Sequence, residues 1–143
     1  MLCFNLQIID QETGLFFHTK VPKVSDRVHI VHSRSAFQHV EDWPELMYSF
    51  ANHKPQFLVS RCIWSGNIES FITTQNYYGL KIRLHFLNIK ELTSKVEELG
   101  FSLIYKSKYA EKIFCDQATL SMKNFTQKYH FDYPSQLIFE WNK

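Results

Sequence analysis

Glycine is scarce in this chain: four residues in 143, at positions 14, 66, 79 and 100. Loops that cradle a phosphate or a dinucleotide need glycines in clusters, so no GxGxxG turn and no Walker loop can be drawn. Cysteine is as thin. Cys3, Cys62 and Cys115 are an odd number without a CxxC pair, and they read as reduced thiols rather than a disulfide frame. No charge of one sign dominates: the formal net charge is +2, with both signs dispersed along the sequence. That excludes a nucleic-acid footprint and a basic membrane patch. No apolar run approaches the roughly 20 residues that span a bilayer. The start, "MLCFNLQIID", lacks the basic opening of a signal peptide. The expectation is a soluble, cytoplasmic protein.

What is present points to a packed core. Apolar residues make up 45% of the chain and charged ones 21%, and aromatics are abundant, with 13 Phe, 7 Tyr and 3 Trp. The length fits one domain over residues 1–143. Seven histidines suggest metal by number but not by spacing. His29 and His32 are three apart on an expected strand and so point to opposite faces, and the other five are singletons. No metal site is expected.

The first 24 residues carry the weakest pattern: short extended pieces at "CFNLQII" and "LFFHTKVP", with a turn at "DQETG" between them. From there the elements are plainer. "DRVHIVHS", 26–33, reads as a buried strand. "EDWPELMYSFANHK" follows as a helix, with Asp42 as N-cap, Pro44 in the first turn and Glu45 completing a capping box. "QFLVSRCIW" is near-continuously apolar, as in a strand covered on both faces. After a long insert, "NIKELTSKVEELG" forms a helix capped by Asn88 and stopped at Gly100. "FSLIYKSKY" and, after some 25 residues without helical periodicity, "SQLIFEW" at 135–141 are the last strands, expected to pair antiparallel. The pattern predicts an α/β fold, a mixed sheet of about four main strands with flanking helices.

Open α/β sheets bind ligands at the carboxyl ends of their strands. Two polar clusters fall there: "SRSAFQH" after the first strand and "SRCIWSGNIESFITTQNYYG" after the second. Each is also readable as an ordinary polar turn, "TTQNYYG" being closed by Gly79.

The segment order resembles the C-terminal half of a class I S-adenosylmethionine-dependent methyltransferase, a Rossmann-like fold. "VHIVHSRSAFQHVEDWPEL" is similar to that fold's fourth strand and the loop after it, and "PQFLVSRC" takes the place of the fifth. "NIKELTSKVEELGFSLIYKSKY" resembles the penultimate helix and sixth strand, and "SQLIFEWNK" the antiparallel seventh. "FQHVEDWPELMYSF", "SGNIESFITTQNYYGLKIRLHFLNIKEL", "LGFSLIYKSKY" and "MKNFTQKYHFDYP" resemble more closely a family assigned to methyl transfer and found in bacterial surface-polysaccharide gene clusters.

The resemblance implies a role for each cluster. Ser33, Ser35 and Ala36 would border the methionine portion of S-adenosylmethionine, and His39 would be the base that deprotonates an acceptor hydroxyl. Gln38, Gln75, Asn76 and Tyr77 would line the acceptor side, a sugar or polysaccharide precursor. The glycine-rich cofactor loop of that fold has no counterpart here, so the chain is expected to be a truncated, C-terminal half, inactive in isolation. The bared edge of strand 26–33 would then pair with a second copy or with the missing N-terminal half. The alternative is a non-catalytic remnant that serves as a protein-interaction module. A third reading has Trp64, Tyr77 and Tyr78 stacking on carbohydrate.

Overall fold

The computed structural model describes residues 18, 21–23, 28–109 and 122–142. The extended pieces expected over 3–22 lie, apart from His18 and 21–22, outside the described residues, as do Cys3 and Cys115. The elements in chain order are β1 (Ile30–Arg34), a 3-10 turn (Phe37–His39), α1 (Trp43–Ala51), β2 (Phe57–Ile63), β3 (Ser65–Gly66), β4 (Phe71–Tyr77), β5 (Leu80–Asn88), α2 (Ile89–Glu98), β6 (Phe101–Lys108), a second 3-10 turn (Gln127–Tyr129) and β7 (Ser135–Trp141).

Two sheets form. The larger has the order β1-β2-β7-β6. β1 and β2 are parallel, and β7 runs antiparallel to both of its neighbours, β2 and β6. A chain returning between two strands of opposite sense to itself makes the mixed, partial Rossmann-like α/β sheet that the sequence predicts. Its helices start where expected and for the expected reason. The Asp42 carboxylate accepts the Glu45 N–H at 3.2 Å, with Pro44 in the first turn. The Asn88 side chain accepts the N–H groups of Lys90 at 2.9 Å and Glu91 at 3.2 Å. Trp43, Met47 and Ala51 of α1, and Ile89, Leu92 and Val96 of α2, recur at helical spacing and are buried with Leu58, Leu137 and Phe139 of the sheet. Each large apolar side chain fully removed from water there stabilises the fold by about 1.5–3 kcal/mol.

The strand expected over 26–33 begins at Ile30, residues 24–27 lying outside the described ones. It is also less buried than its composition suggests. Val31 and Ser33 are half-buried on the helix side, whereas Ile30, His32 and Arg34 are exposed, Ile30 by 59%. Among the described residues β1 pairs with β2 and with no other strand, so it is an edge. β2 likewise alternates between buried and half-buried positions, one face being less covered than a continuous apolar run implies.

The long insert is the main departure. "TTQNYYG" is no polar turn closing a loop. Thr73 to Tyr77 complete β4, which pairs antiparallel with β5 from Phe71↔Phe86 to Tyr77↔Leu80. The turn itself is Tyr78-Gly79, with φ of +47° and +79°, the left-handed pair that suits a two-residue hairpin. β3 adds alongside the far end of β5. This smaller sheet packs a second, aromatic cluster: Phe71 stacks on Phe86 at 4.6 Å between centroids, and Trp64 meets Phe86 edge-on at 5.0 Å. Trp64 is thus core, not a platform for a sugar ring.

Candidate functional site

The carboxyl end of β1 is built by a left-handed residue. Ser35 has φ of +51° and its N–H donates to the Arg61 carbonyl of β2 at 3.1 Å. A non-glycine residue in that region costs about 1 kcal/mol. Here it swings the chain out of the strand into the 3-10 turn. β2 carries the matching irregularity: a register shift between Ser60 and Ile63, with Cys62 at φ +56°. Two neighbouring strands therefore end on strained backbone side by side, a feature that clusters at functional sites.

The turn is anchored by Phe37, 1% exposed and packed on Trp43 at 5.6 Å. Gln38 is buried beside it at 3% exposure. Its Nε2 donates to the Ser35 carbonyl at 3.1 Å, but its Oε1 is buried and finds no hydrogen-bond partner among the described residues. An unsatisfied buried amide oxygen costs on the order of 1–3 kcal/mol. Ser35 and Ala36 are exposed on the rim, and Ser33 is half-buried one strand residue below.

His39 is exposed, and its Nδ1 bonds the Arg83 carbonyl of β5 at 3.1 Å. A carbonyl only accepts, so Nδ1 carries the proton, and Nε2 of the neutral ring keeps its lone pair. The hairpin thereby fixes the tautomer and leaves Nε2 as the accepting nitrogen. Arg83 also pairs with Glu41, and both side chains are solvent-exposed. Behind them His85 is buried, its pKa lowered first by burial and then by the charge of Arg83. Its Nε2 has no partner among the described residues.

Strand pairing sorts the other expected residues. Gln75 shares a face with its partner Ile82 and with Phe71 and Phe86, which belong to the aromatic cluster. Asn76 lies on the opposite face with Lys81, Thr74 and Arg83, the face that carries His85. Asn76 and His39 therefore sit along one side of the hairpin, and Gln75 does not join them. Tyr77 is the last residue of β4, its backbone opposite Leu80.

Sequence reasoning missed Arg34, Arg61 and Tyr109. Arg34 and Arg61 are cross-strand partners at the ends of β1 and β2. Arg34 Nη2 donates to the Tyr109 hydroxyl at 3.1 Å, and the Arg61 guanidinium lies 5.7 Å from the centroid of the same ring. The arrangement gathers two positive groups around the Tyr109 ring. The only sequence signal was an arginine at the same place in each strand-end cluster. Among the described residues no group of histidine, cysteine and carboxylate side chains could hold a metal ion. No helix among them is long and apolar enough to cross a membrane.

No protein family model and no curated protein matches the sequence. Among solved structures the chain is similar to that of a "putative S-adenosylmethionine dependent methyltransferase" from Listeria monocytogenes, with a TM-score of 0.58 at 6% identity. The likeness covers 85% of this chain and spans 65% of that protein's length. At that identity the likeness is one of fold, and the fold of this chain is methyltransferase-like.

Proposed function

We propose that this chain forms the catalytic-base and acceptor wall of an S-adenosylmethionine-dependent methyl transfer site, the nucleoside-binding wall being supplied by another polypeptide segment. The observation that carries the reading is the strand order β1-β2-β7-β6 with β7 reversed, in a fold similar to the Listeria protein, together with an unpartnered buried acceptor at its carboxyl edge. Small side chains at Ser33, Ser35 and Ala36 leave room there, and Gln38 Oε1 can accept from an ammonium group. These features fit the methionine end of the cofactor. None of the described glycines, 66, 79 and 100, belongs to β1 or to the turn after it.

When bound, the cofactor supplies an electrophilic methyl group for in-line displacement. The work of the chain is alignment and proton removal. His39 Nε2 takes the hydroxyl proton of the acceptor while the Arg83 carbonyl holds the ring, and Asn76 on the same hairpin face orients the acceptor. Amide and aromatic groups suit a sugar or polysaccharide precursor.

Calorimetric titration of the purified chain with S-adenosylmethionine and S-adenosylhomocysteine tests the reading. Saturable binding supports it. His39→Gln should then keep that affinity and slow transfer by roughly 10²–10⁴-fold. A folded sample that binds neither compound overturns the cofactor assignment for the chain alone. It would favour a second reading, an interaction module that pairs through the β1 edge with a second copy or a missing N-terminal half. Exposed Ile30 on an edge strand supports that reading. Sedimentation of Ile30→Lys checks it, with loss of any dimer expected.

A further inference from the structure

We propose that β4 is the seam of a homodimer: a second copy of this chain adds its own β4 to the outer edge, antiparallel, about a two-fold axis at Thr74. Among the described residues the smaller sheet has the order β3-β5-β4, so β4 is paired on one side only. Exposed strand edges are usually blunted by charge, proline or a bulge. The edge strands of the larger sheet follow that rule, with Arg34 in β1 and Lys106 and Lys108 in β6. β4 does not. Its sequence, FITTQNY, holds no charge and no proline, and its pairing with β5 runs without a register shift. Ile72, Thr73 and Thr74 are β-branched, and Ile72 is 59% exposed.

The turn decides which backbone groups this edge offers. A two-residue loop closes on a hydrogen-bonded pair, here Tyr77 and Leu80, and such pairs recur at every second residue. Phe71, Thr73, Gln75 and Tyr77 therefore direct their N–H and C=O groups to β5. Those of Ile72, Thr74 and Asn76 point outward. Copies paired with Thr74 opposite Thr74 set Ile72 of each against Asn76 of the other, and every outward donor then meets an acceptor. A register moved by one residue would present groups that β5 already uses. The side chains agree, with a Thr–Thr pair at the axis.

Charge allows, and symmetry favours, a second copy as the occupant. The charges of the hairpin sit on β5, one strand behind the edge: Lys81 opposite Asn76 and Arg83 opposite Thr74. Across the seam the two Arg83 backbones stand about 14 Å apart, three strand spacings, beyond the roughly 8 Å screening length of physiological salt. Glu41 pairs with the Arg83 guanidinium in each copy. The assembly also ends itself. The joined sheet β3-β5-β4-β4-β5-β3 has β3 at each outer edge, only 2 residues long and too short to template another strand. The inference does not rest on methyl transfer, because backbone groups make the seam and the Asn76 side chain stays on its face.

The test is sedimentation velocity of the full chain over a concentration series. The seam is one strand pair, smaller than a standard interface, so a weak, concentration-dependent dimer is expected. Thr74→Lys sets like charges at the axis and should raise the dissociation constant about fivefold, as should Thr74→Glu. An equimolar mixture of those two variants should restore the dimer, which misfolded variants could not do. Thr74→Pro removes an outward N–H and none bonded to β5, so it should give a monomer whose β4–β5 amides stay protected from hydrogen exchange. Ile30→Lys, on the β1 edge, should leave the dimer intact. Monomers at every concentration overturn the second copy as occupant, in favour of an extended segment of another protein. A dimer unweakened by both Thr74→Lys and Thr74→Pro, or one lost in Ile30→Lys alone, overturns the seam.

Discussion

The two sheets of this protein are held together differently. The β1-β2-β7-β6 sheet packs mostly aliphatic side chains, Leu58, Leu92, Val96 and Leu137 among them, from strands and helices with regular periodicity. The β3-β5-β4 sheet leans on rings: Phe86 alone meets Trp64, Phe71, Phe125 and Phe131, the last two from an irregular segment some forty residues further on. The first core rests on its elements, and the second draws distant pieces of chain onto one hairpin. It is the hairpin that touches the candidate base, through the Arg83 carbonyl. The scaffold and the hairpin beside the candidate base thus draw on different side chains for their stability.

Phe86→Ala should break the contrast most sharply, costing about 3–5 kcal/mol in urea unfolding. Because four rings lose a partner, hydrogen exchange should quicken in β4 and β5 before it does in β7. Equal acceleration in both sheets would mean a single cooperative core. Leu137→Ala, fully buried in the larger sheet, should cost about 2–5 kcal/mol with exchange rising throughout.

Asn88→Ala sits at the joint between the regions. The side chain caps α2, and its Nδ2 donates to the Ile68 carbonyl at 2.6 Å, while the Ser70 hydroxyl receives its N–H at 2.8 Å. Loss of the cap should cost about 1–2 kcal/mol by thermal unfolding.

Acid offers a gentler probe. His85 is held below its ordinary pKa, with Arg83 and His39 adding to the effect of burial and Glu41 opposing it. Between the folded and unfolded values the unfolded chain binds more protons, so stability should fall as pH drops below about 6.5. His85→Gln should flatten that slope in a melting-temperature series. The smallest effect belongs to the exposed Arg83–Glu41 pair, where Glu41→Gln should cost under about 1 kcal/mol.

The same contrast explains what the sequence disclosed. Both helices were legible because Asp42 and Asn88 announce their starts and Gly100, at φ +107°, an end. β7 could be read to the residue because it is short, apolar and flanked by Pro134 and Asn142. The hairpin was obscured by its own chemistry. Thr73 and Gln75 face inward while Ile72 faces out, so alternation carried little hydropathy contrast. Asn76 also offered a false turn signal two residues before the true one. At the site, Ser35, Gln38 and His39 could be found from their place after a strand. The contact of Arg34 with Tyr109 could not, since nothing local links residues 75 apart.

The hairpin tip has one further consequence. Tyr78 is 90% exposed, and a side chain added at Gly79 would meet nothing within 4 Å. Residues spliced in there as matched pairs would lengthen both strands equally and leave Phe71↔Phe86 through Tyr77↔Leu80 in step. The tip is thus a natural graft point, where an epitope or a fluorophore could be carried without disturbing either core.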